Sequence, residues 1–410
     1  MKTRRILAAA LSISMVLLAG CGTKTETAES SSAAPVQETF GIIPDSAPEL
    51  APQVEASEVE PDSSVDTEEP QSIAESAAEP EITPPQQPEE TVAPEFQWKT
   101  AAPEDYGLSA SVIDDLHSRY PSLPVLSAVI YRDGHLLDEY YTDGYDENST
   151  FILNSASKSV TSALIGIAID QGLIESVDTP IATYFPQLQS SADPRAQEIT
   201  IRHLLTHTPG FSSTDDDNWN SWRSSNNWVD YVLSQPITAQ PGTTFRYFTG
   251  NTHLLSTILQ QVSGMTAYEF AMEYLFRPLG IEDVTCDADP QGISDGGNGF
   301  HLSARDMVKL GQLFLDGGVY QGRQIISSQW IAESTSLQFQ RNSGSANYGY
   351  QWWVRTFGDS AYPAFFAQGH AGQYIFVVPA LSLVVTMTSD YEGPTSVYWE
   401  FVNEIVNAMG

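Results

Sequence analysis

From about position 97 onward, apolar and polar residues recur with the periods of regular secondary structure. Val125 to Tyr141, VLSAVIYRDGHLLDEYY, reads as two strands joined at Asp133-Gly134, a dipeptide that accepts the positive φ angles of a tight hairpin turn. Asn154 to Gly172, NSASKSVTSALIGIAIDQG, opens with polar residues and continues as an apolar helical run. Thr200 to about Phe276 is mostly helical, with segments such as IRHLLTHT, NWVDYVLSQ and NTHLLSTILQQVSG. SARDMVKLGQLFLDGG is an amphipathic helix ended by glycines. QYIFVVP and LSLVVTMTS are β-branched apolar runs separated by Pro379-Ala380, and TSVYWEFVNEIVNAM closes the chain as a helix. Strands at both ends with helices between them predict an α/β (α+β) domain carrying an inserted, mostly helical region. No internal repeat interrupts this order.

The N-terminal quarter has a different pattern. MKTRRILAAALSISMVLLAGC combines Lys2, Arg4 and Arg5 with an apolar run from Ile6 to Leu18, which is the form of an export signal and too short for a spanning helix. Its end, Leu18-Ala19-Gly20-Cys21, resembles the bacterial lipobox, so residues 1–21 are expected to be a lipoprotein signal peptide with Cys21 as the site of lipid attachment. The expected location is the outer face of a bacterial membrane, reached by a lipid anchor alone. Residues 22–97 hold 18 acidic residues against the single basic Lys24, with many Pro and Ser. Too little apolar surface and too much like charge predict a disordered, extended tether there. The folded part is then residues 98–410.

Charge narrows the partners. A formal net charge of -34 repels polyphosphate and excludes nucleic acid as an expected partner. With Cys21 lipidated, only Cys286 remains, so no intrachain disulfide forms, and Cys286 is read as a small buried apolar residue. No H-E-x-x-H or clustered Cys/His occurs, so neither metal nor cofactor is expected.

Candidate chemistry centres on Lys158, one of only five lysines in the chain. Ser155 lies three residues before it, and positions three apart share a helix face. Asn154 or Ser155 is expected to cap the helix. Free N–H groups at the helix start favour a developing negative charge. A buried lysine loses its proton near neutral pH and can then serve as a base for a serine nucleophile. Ser157 and Ser159 point to other faces and rank below Ser155.

Several motifs extend this reading. SASKSVTSALIGIAIDQG, ITIRHLLTHTPG, PGTTFRYFTGNTHLLSTILQQVSG, the stretch GGNGFHLSARDMVKLGQLFLDGGVYQGRQIIS, YGYQWWV and GHAGQYIFVVP follow one another from about Gln97 to Gly410. In that order they resemble the serine β-lactamase-like superfamily, specifically class C β-lactamases and DD-peptidase-related esterases and hydrolases. The resemblance implies a β-lactamase/transpeptidase-like fold, an antiparallel sheet flanked by helices. It implies Ser155 as nucleophile, Lys158 as its partner and Tyr247 as the catalytic tyrosine. His370, Ala371 and Gly372 take the place of the third motif, usually K-T-G, at the start of an edge strand. The backbone N–H groups of Ser155 and Gln373 would hold the oxyanion.

Two departures qualify the resemblance. The second motif, usually Y-x-N, is Tyr247-Phe248-Thr249, with Asn251 two positions later. The third carries His370, a mostly neutral group, where the family has a permanent cation for a substrate carboxylate. Both move the expected substrate from penicillins towards a small ester, amide or peptide. The implied reaction is acyl transfer, with either Tyr247, made acidic by Lys158, or Lys158 itself as base. A D,D-carboxypeptidase or β-lactamase is one alternative, and a catalytically silent binding domain is another.

Remaining features have plainer readings. His203, His207 and His253 are expected to be hydrogen-bonded structural histidines, and Asp215, Asp216 and Asp217 a solvated loop. Trp219, Trp222 and Trp228, with Trp352 and Trp353, either overhang the cleft or pack between loop and domain.

Overall fold

The computed structural model describes residues 96–342, 344 and 346–410, so the signal segment, Cys21 and nearly all of the expected tether lie outside the described residues. The largest sheet has seven strands: β1 (Val125–Arg132), β2 (His135–Tyr141), β3 (Asn347–Tyr348), β4 (Trp353–Phe357), β5 (Tyr362–Gly369), β6 (Gln373–Val378) and β7 (Leu383–Ser389). Their spatial order is β2-β1-β7-β6-β5-β4-β3, antiparallel throughout. The β1–β2 hairpin turns at Asp133 and Gly134, whose φ angles of 48° and 79° are the left-handed pair the sequence predicts.

Six helices matter for the site: α1 (Ala110–Arg119), α2 (Ser157–Asp170), α3 (Asp215–Arg223), α4 (Thr249–Ser263), α5 (Ala304–Leu315) and α6 (Ser396–Met409). The sheet is covered on both faces, and this explains its unbroken apolar runs. Along β6, every residue from Gln373 to Val378 is buried. Successive side chains point to opposite faces. Ile375 and Val377 join the core shared with α2, α4 and α5, whereas Tyr374, Phe376 and Val378 join Leu116 of α1 and Phe401 and Ile405 of α6.

α2 is the central helix of the larger core, buried from Ser157 to Ala168. A helix surrounded on all sides has no need of a polar face. Its apolar side chains pack, and Ser157, Lys158, Ser159 and Thr161 are drawn into specific hydrogen bonds. At the start of the described region, Phe96 packs on Trp98 at 4.5 Å between ring centres and Trp98 on Tyr131 at 5.7 Å. Ordered packing thus reaches two residues ahead of the boundary expected at 98.

Candidate active site

The turn that carries Ser155 is a short 3-10 helix, Asn154–Ala156, leading directly into α2. Neither Asn154 nor Ser155 caps the helix through its side chain, contrary to expectation. The continuous 3-10-to-α path takes up the first N–H groups along the backbone: Ser157 N–H reaches the carbonyls of Asn154 and Ser155. Asn154 instead adopts a positive φ of 48° and donates its amide to the carbonyl of His370, 3.1 Å away. This ties the serine turn to the third motif. Ser157 accepts from Phe300 N–H at 3.2 Å, and Ser159 donates to the Gln351 carbonyl at 2.7 Å. Both are buried structural serines.

Lys158 is 1 % exposed and donates to three oxygens. They are Ser155 Oγ at 2.9 Å, Thr249 Oγ1 at 2.8 Å and the Gly297 carbonyl at 2.8 Å. Burial pulls its pKa from 10.5 down to about 8, against the opposing pull of Asp215 and Asp295. A lysine in this setting is close to losing its proton at neutral pH.

Behind Thr249 stands Asp215, the first residue of α3. Its two carboxylate oxygens accept from Thr249 N–H and from Thr249 Oγ1, each at 2.7 Å. Desolvation raises its pKa, while Lys158 and the two Thr249 donors hold it down. The expected solvated loop at Asp215–Asp217 is therefore corrected: Asp215 faces inward, and only Asp216 and Asp217 are exposed at the helix start. Sequence reasoning missed Asp215 because it lies in an acidic run 34 residues from Thr249. Asn251 does not stand in for the missing motif asparagine, since its amide faces His207 Nδ1 at 3.3 Å.

Tyr247 hydrogen-bonds Ser155 through its hydroxyl, and Lys158 lies over its ring. Desolvation and Asp215 push its pKa well above the ordinary phenol value. Lys158 lies over the ring and not at the hydroxyl, so the expected acidification of Tyr247 by Lys158 is opposed by burial, which disfavours the phenolate. Trp353 stacks on Tyr247 at 5.9 Å and 22°, and Phe245 and Tyr348 flank it, so an aromatic wall borders the site. Arg341 lies 5.0 Å above the rings of both Phe245 and Trp353.

His370, Ala371 and Gly372 form the tight turn between β5 and β6, with Gly369 paired to Gln373. β6 is an interior strand flanked by β5 and β7, so the expected edge strand is corrected; the strands that follow and precede it in the chain both pair with it. A Cβ on Gly369 would fall 2.1 Å from the Leu153 carbonyl oxygen, so only glycine lets the serine turn lie against this strand. His370 pairs with Glu392 at 3.1 Å on the exposed rim. The Gln373 side chain is buried and donates to the Ser389 carbonyl at 2.6 Å, which fixes the start of β6 beside the site.

The three histidines expected to be structural, His203, His207 and His253, are held by hydrogen bonds. His203 Nδ1 accepts from Thr200 N–H, His207 is fully buried against Tyr247 and Asn251, and His253 pairs with Asp289 in a fully buried contact. Trp222 and Trp228 are core residues packed on each other at 4.7 Å, and Trp352 is buried between Phe314 and Phe365. Among Trp219, Trp222, Trp228, Trp352 and Trp353, it is Trp353 that borders Tyr247. Arg223, at the end of α3, stacks 4.2 Å over Trp228 and pairs with Asp295, a carboxylate with no exposed surface. Cys286 is half-buried, and burial pushes its thiol up, consistent with a packing role.

The chain and its fold have known relatives. The chain is 25% identical over 312 residues to 6-aminohexanoate-dimer hydrolase of Paenarthrobacter ureafaciens, covering 71% of this chain and 79% of the relative. The structure of a putative 6-aminohexanoate-dimer hydrolase from Bacillus anthracis superimposes with a TM-score of 0.63 at 21% identity, over 76% of this chain and 86% of that one. A class C β-lactamase from Rhodobacter sphaeroides shares the fold with a TM-score of 0.58 at 20% identity, over 73% and 99% of the two chains. The Beta-lactamase family model matches residues 113–399, a span that takes in Ser155, Lys158, Tyr247 and the turn before β6, and the chain belongs to that family of serine hydrolases.

Proposed function

We propose that Ser155 is the nucleophile of an acyl-enzyme hydrolase acting on a small ester, amide or peptide at the cell surface. The observation that carries this reading is the 2.9 Å contact between Ser155 Oγ and a buried Lys158 whose pKa lies near 8. Neutral Lys158 takes the Ser155 proton as Oγ attacks the substrate carbonyl. The tetrahedral oxyanion is held by the backbone N–H groups of Ser155 and Gln373, on the two segments that Asn154 ties together. Tyr247, still protonated and hydrogen-bonded to Ser155, passes a proton to the departing alcohol or amine, and the proton held by Lys158 returns to the tyrosine through the water that enters as the leaving group departs. Water then attacks the acyl-enzyme by the reverse proton path and releases the acid.

An amide or peptide is favoured by a relative named as a hydrolase of an aminohexanoate dimer. His370 in place of a permanent cation, already paired with Glu392, disfavours a substrate held by its carboxylate at that turn. A fluorophosphonate should label the full-length chain, and Ser155→Ala should abolish the label. Labelling that survives Ser155→Ala unchanged would remove Ser155 from this role.

A further inference from the structure

The motif asparagine that usually faces the lysine is absent, and its work has to fall to other atoms. We infer that Asp215 is a positioning residue which, through the Thr249 hydroxyl, fixes the lone pair of Lys158 on Ser155. The inference rests on the assignment of Ser155 and Lys158 made above and goes beyond it by giving a role to a residue outside all three motifs.

The protons around Thr249 Oγ1 set the direction of each hydrogen bond. Thr249 N–H and Thr249 O–H both donate to Asp215, one to each carboxylate oxygen at 2.7 Å. A hydroxyl has one proton, and here it is committed. Thr249 Oγ1 can then only accept from Lys158, at 2.8 Å. The second fixed neighbour, the Gly297 carbonyl at 2.8 Å, is also an acceptor without a proton. Once Lys158 is neutral it has two N–H bonds and one lone pair. Both N–H bonds are claimed by acceptors, so the lone pair is left facing the third neighbour, Ser155 Oγ, at 2.9 Å. That is the orientation a general base needs.

Asparagine at position 215 would invert the chain. The Thr249 backbone N–H cannot turn, so the amide oxygen must serve it and the amide N–H must face Thr249 Oγ1. The hydroxyl proton is then released towards Lys158 and competes for its lone pair. The substitution also removes a negative charge that supports the ammonium form of Lys158. Charged and titratable groups facing Lys158 are Asp215 from α3, Asp295 from the loop before Gly297, His207 just after the short helix Ile201–Leu205 and Tyr247 before α4. Only the first changes in this substitution.

The test uses the second-order rate of labelling of the full-length chain by a fluorophosphonate, measured against pH. Asp215→Asn should lower the rate about 100-fold, the cost of misdirecting a catalytic group, and move its acidic limb to lower pH. Thr249→Ser, which keeps the hydroxyl, should stay within a few fold of wild type. Thr249→Val should lose as much as Asp215→Asn, and the double variant Asp215→Asn/Thr249→Val should be no slower than Thr249→Val alone, because both act through one path. Wild-type rates and an unmoved limb in Asp215→Asn, equal losses in Thr249→Ser and Thr249→Val, or additive losses in the double variant would each overturn the role of Asp215. Failure of Ser155→Ala to abolish labelling, or no labelling of wild type, would instead overturn the site on which it rests. Should Asp215→Asn not fold, the two Thr249 variants carry the decision.

Discussion

Lys158 Nζ lies over the face of the Tyr247 ring, 4.9 Å from its centre. A cation there is attracted to the ring and does little to stabilise a phenolate oxygen at the ring's edge. Burial draws the amine down to about 8 and pushes the phenol up, and the proposed mechanism accordingly uses the amine as base and the phenol as acid.

The proposed mechanism needs neutral Lys158, so hydrolysis should rise with pH through its pKa of about 8. Tyr247→Phe removes a proton carrier and leaves the base, and should slow turnover of a p-nitrophenyl ester by about 100-fold while keeping that limb. A limb that vanishes in Tyr247→Phe would identify the tyrosine as the titrating base.

Burial of Lys158 also has a signature in stability. Its folded pKa, about 8, lies below the ordinary 10.5, so the unfolded chain binds the extra proton between those values. Folding is penalised fully below pH 8, and the penalty is relieved as pH rises towards 10.5. The difference corresponds to about 3 kcal/mol. Urea midpoints should therefore climb between pH 7.5 and 10 in the wild type relative to Lys158→Met, which carries no titrating group there. Parallel profiles for the two proteins would contradict a depressed lysine.

Local relationships were legible in the sequence. The Asp133-Gly134 turn and the Ser155–Lys158 spacing are each decided within four residues, where φ preference and helix geometry act directly. The interior place of β6 and the Asp215–Thr249 contact are decided by chain folding between positions far apart, which leaves no periodic trace. Asp215 was concealed further by Asp216 and Asp217, because an acidic run looks the same whether or not its first member turns inward. For Trp222 and Trp228 the sequence leaves both overhanging the cleft and packing open, because polar neighbours mask an inward ring; the rings are core and carry the Arg223 guanidinium that meets Asp295.

That last pair gives a stability prediction. Asp295 has no exposed surface, and Arg223 is its ionic partner. Arg223→Ala should destabilise the fold by about 3 kcal/mol in urea, since an unpaired charge is left buried. Adding Asp295→Asn should recover part of the loss. A double variant no more stable than Arg223→Ala would assign the cost to lost stacking on Trp228 instead.

The proposed anchoring at Cys21 is tested by feeding a labelled fatty acid to expressing bacteria. Label should enter the full-length chain and be absent from Cys21→Ala, and label retained in that variant would reject a lipid at this residue.

The turn before β6 offers the sharpest view of substrate choice. His370 stands where a permanent cation would meet a substrate carboxylate, and it is paired with Glu392 at 3.1 Å on the rim. The nucleophile, its base and the Asn154 tie to this turn are otherwise in place. His370→Lys supplies the missing charge at the same point of the turn, and Glu392→Gln removes the carboxylate that would neutralise it. One charge-assisted hydrogen bond to a substrate carboxylate contributes about 1.5–3 kcal/mol. The double variant should therefore be acylated by benzylpenicillin at least tenfold faster than wild type, as read by mass spectrometry of the intact chain over time. Hydrolysis of a neutral p-nitrophenyl ester, which has no carboxylate to recognise, should change little. Equal gains on both substrates would show that the turn affects the nucleophile itself, and no gain on penicillin would place its discrimination elsewhere, with the aromatic wall of Tyr247 and Trp353 as the next surface to alter.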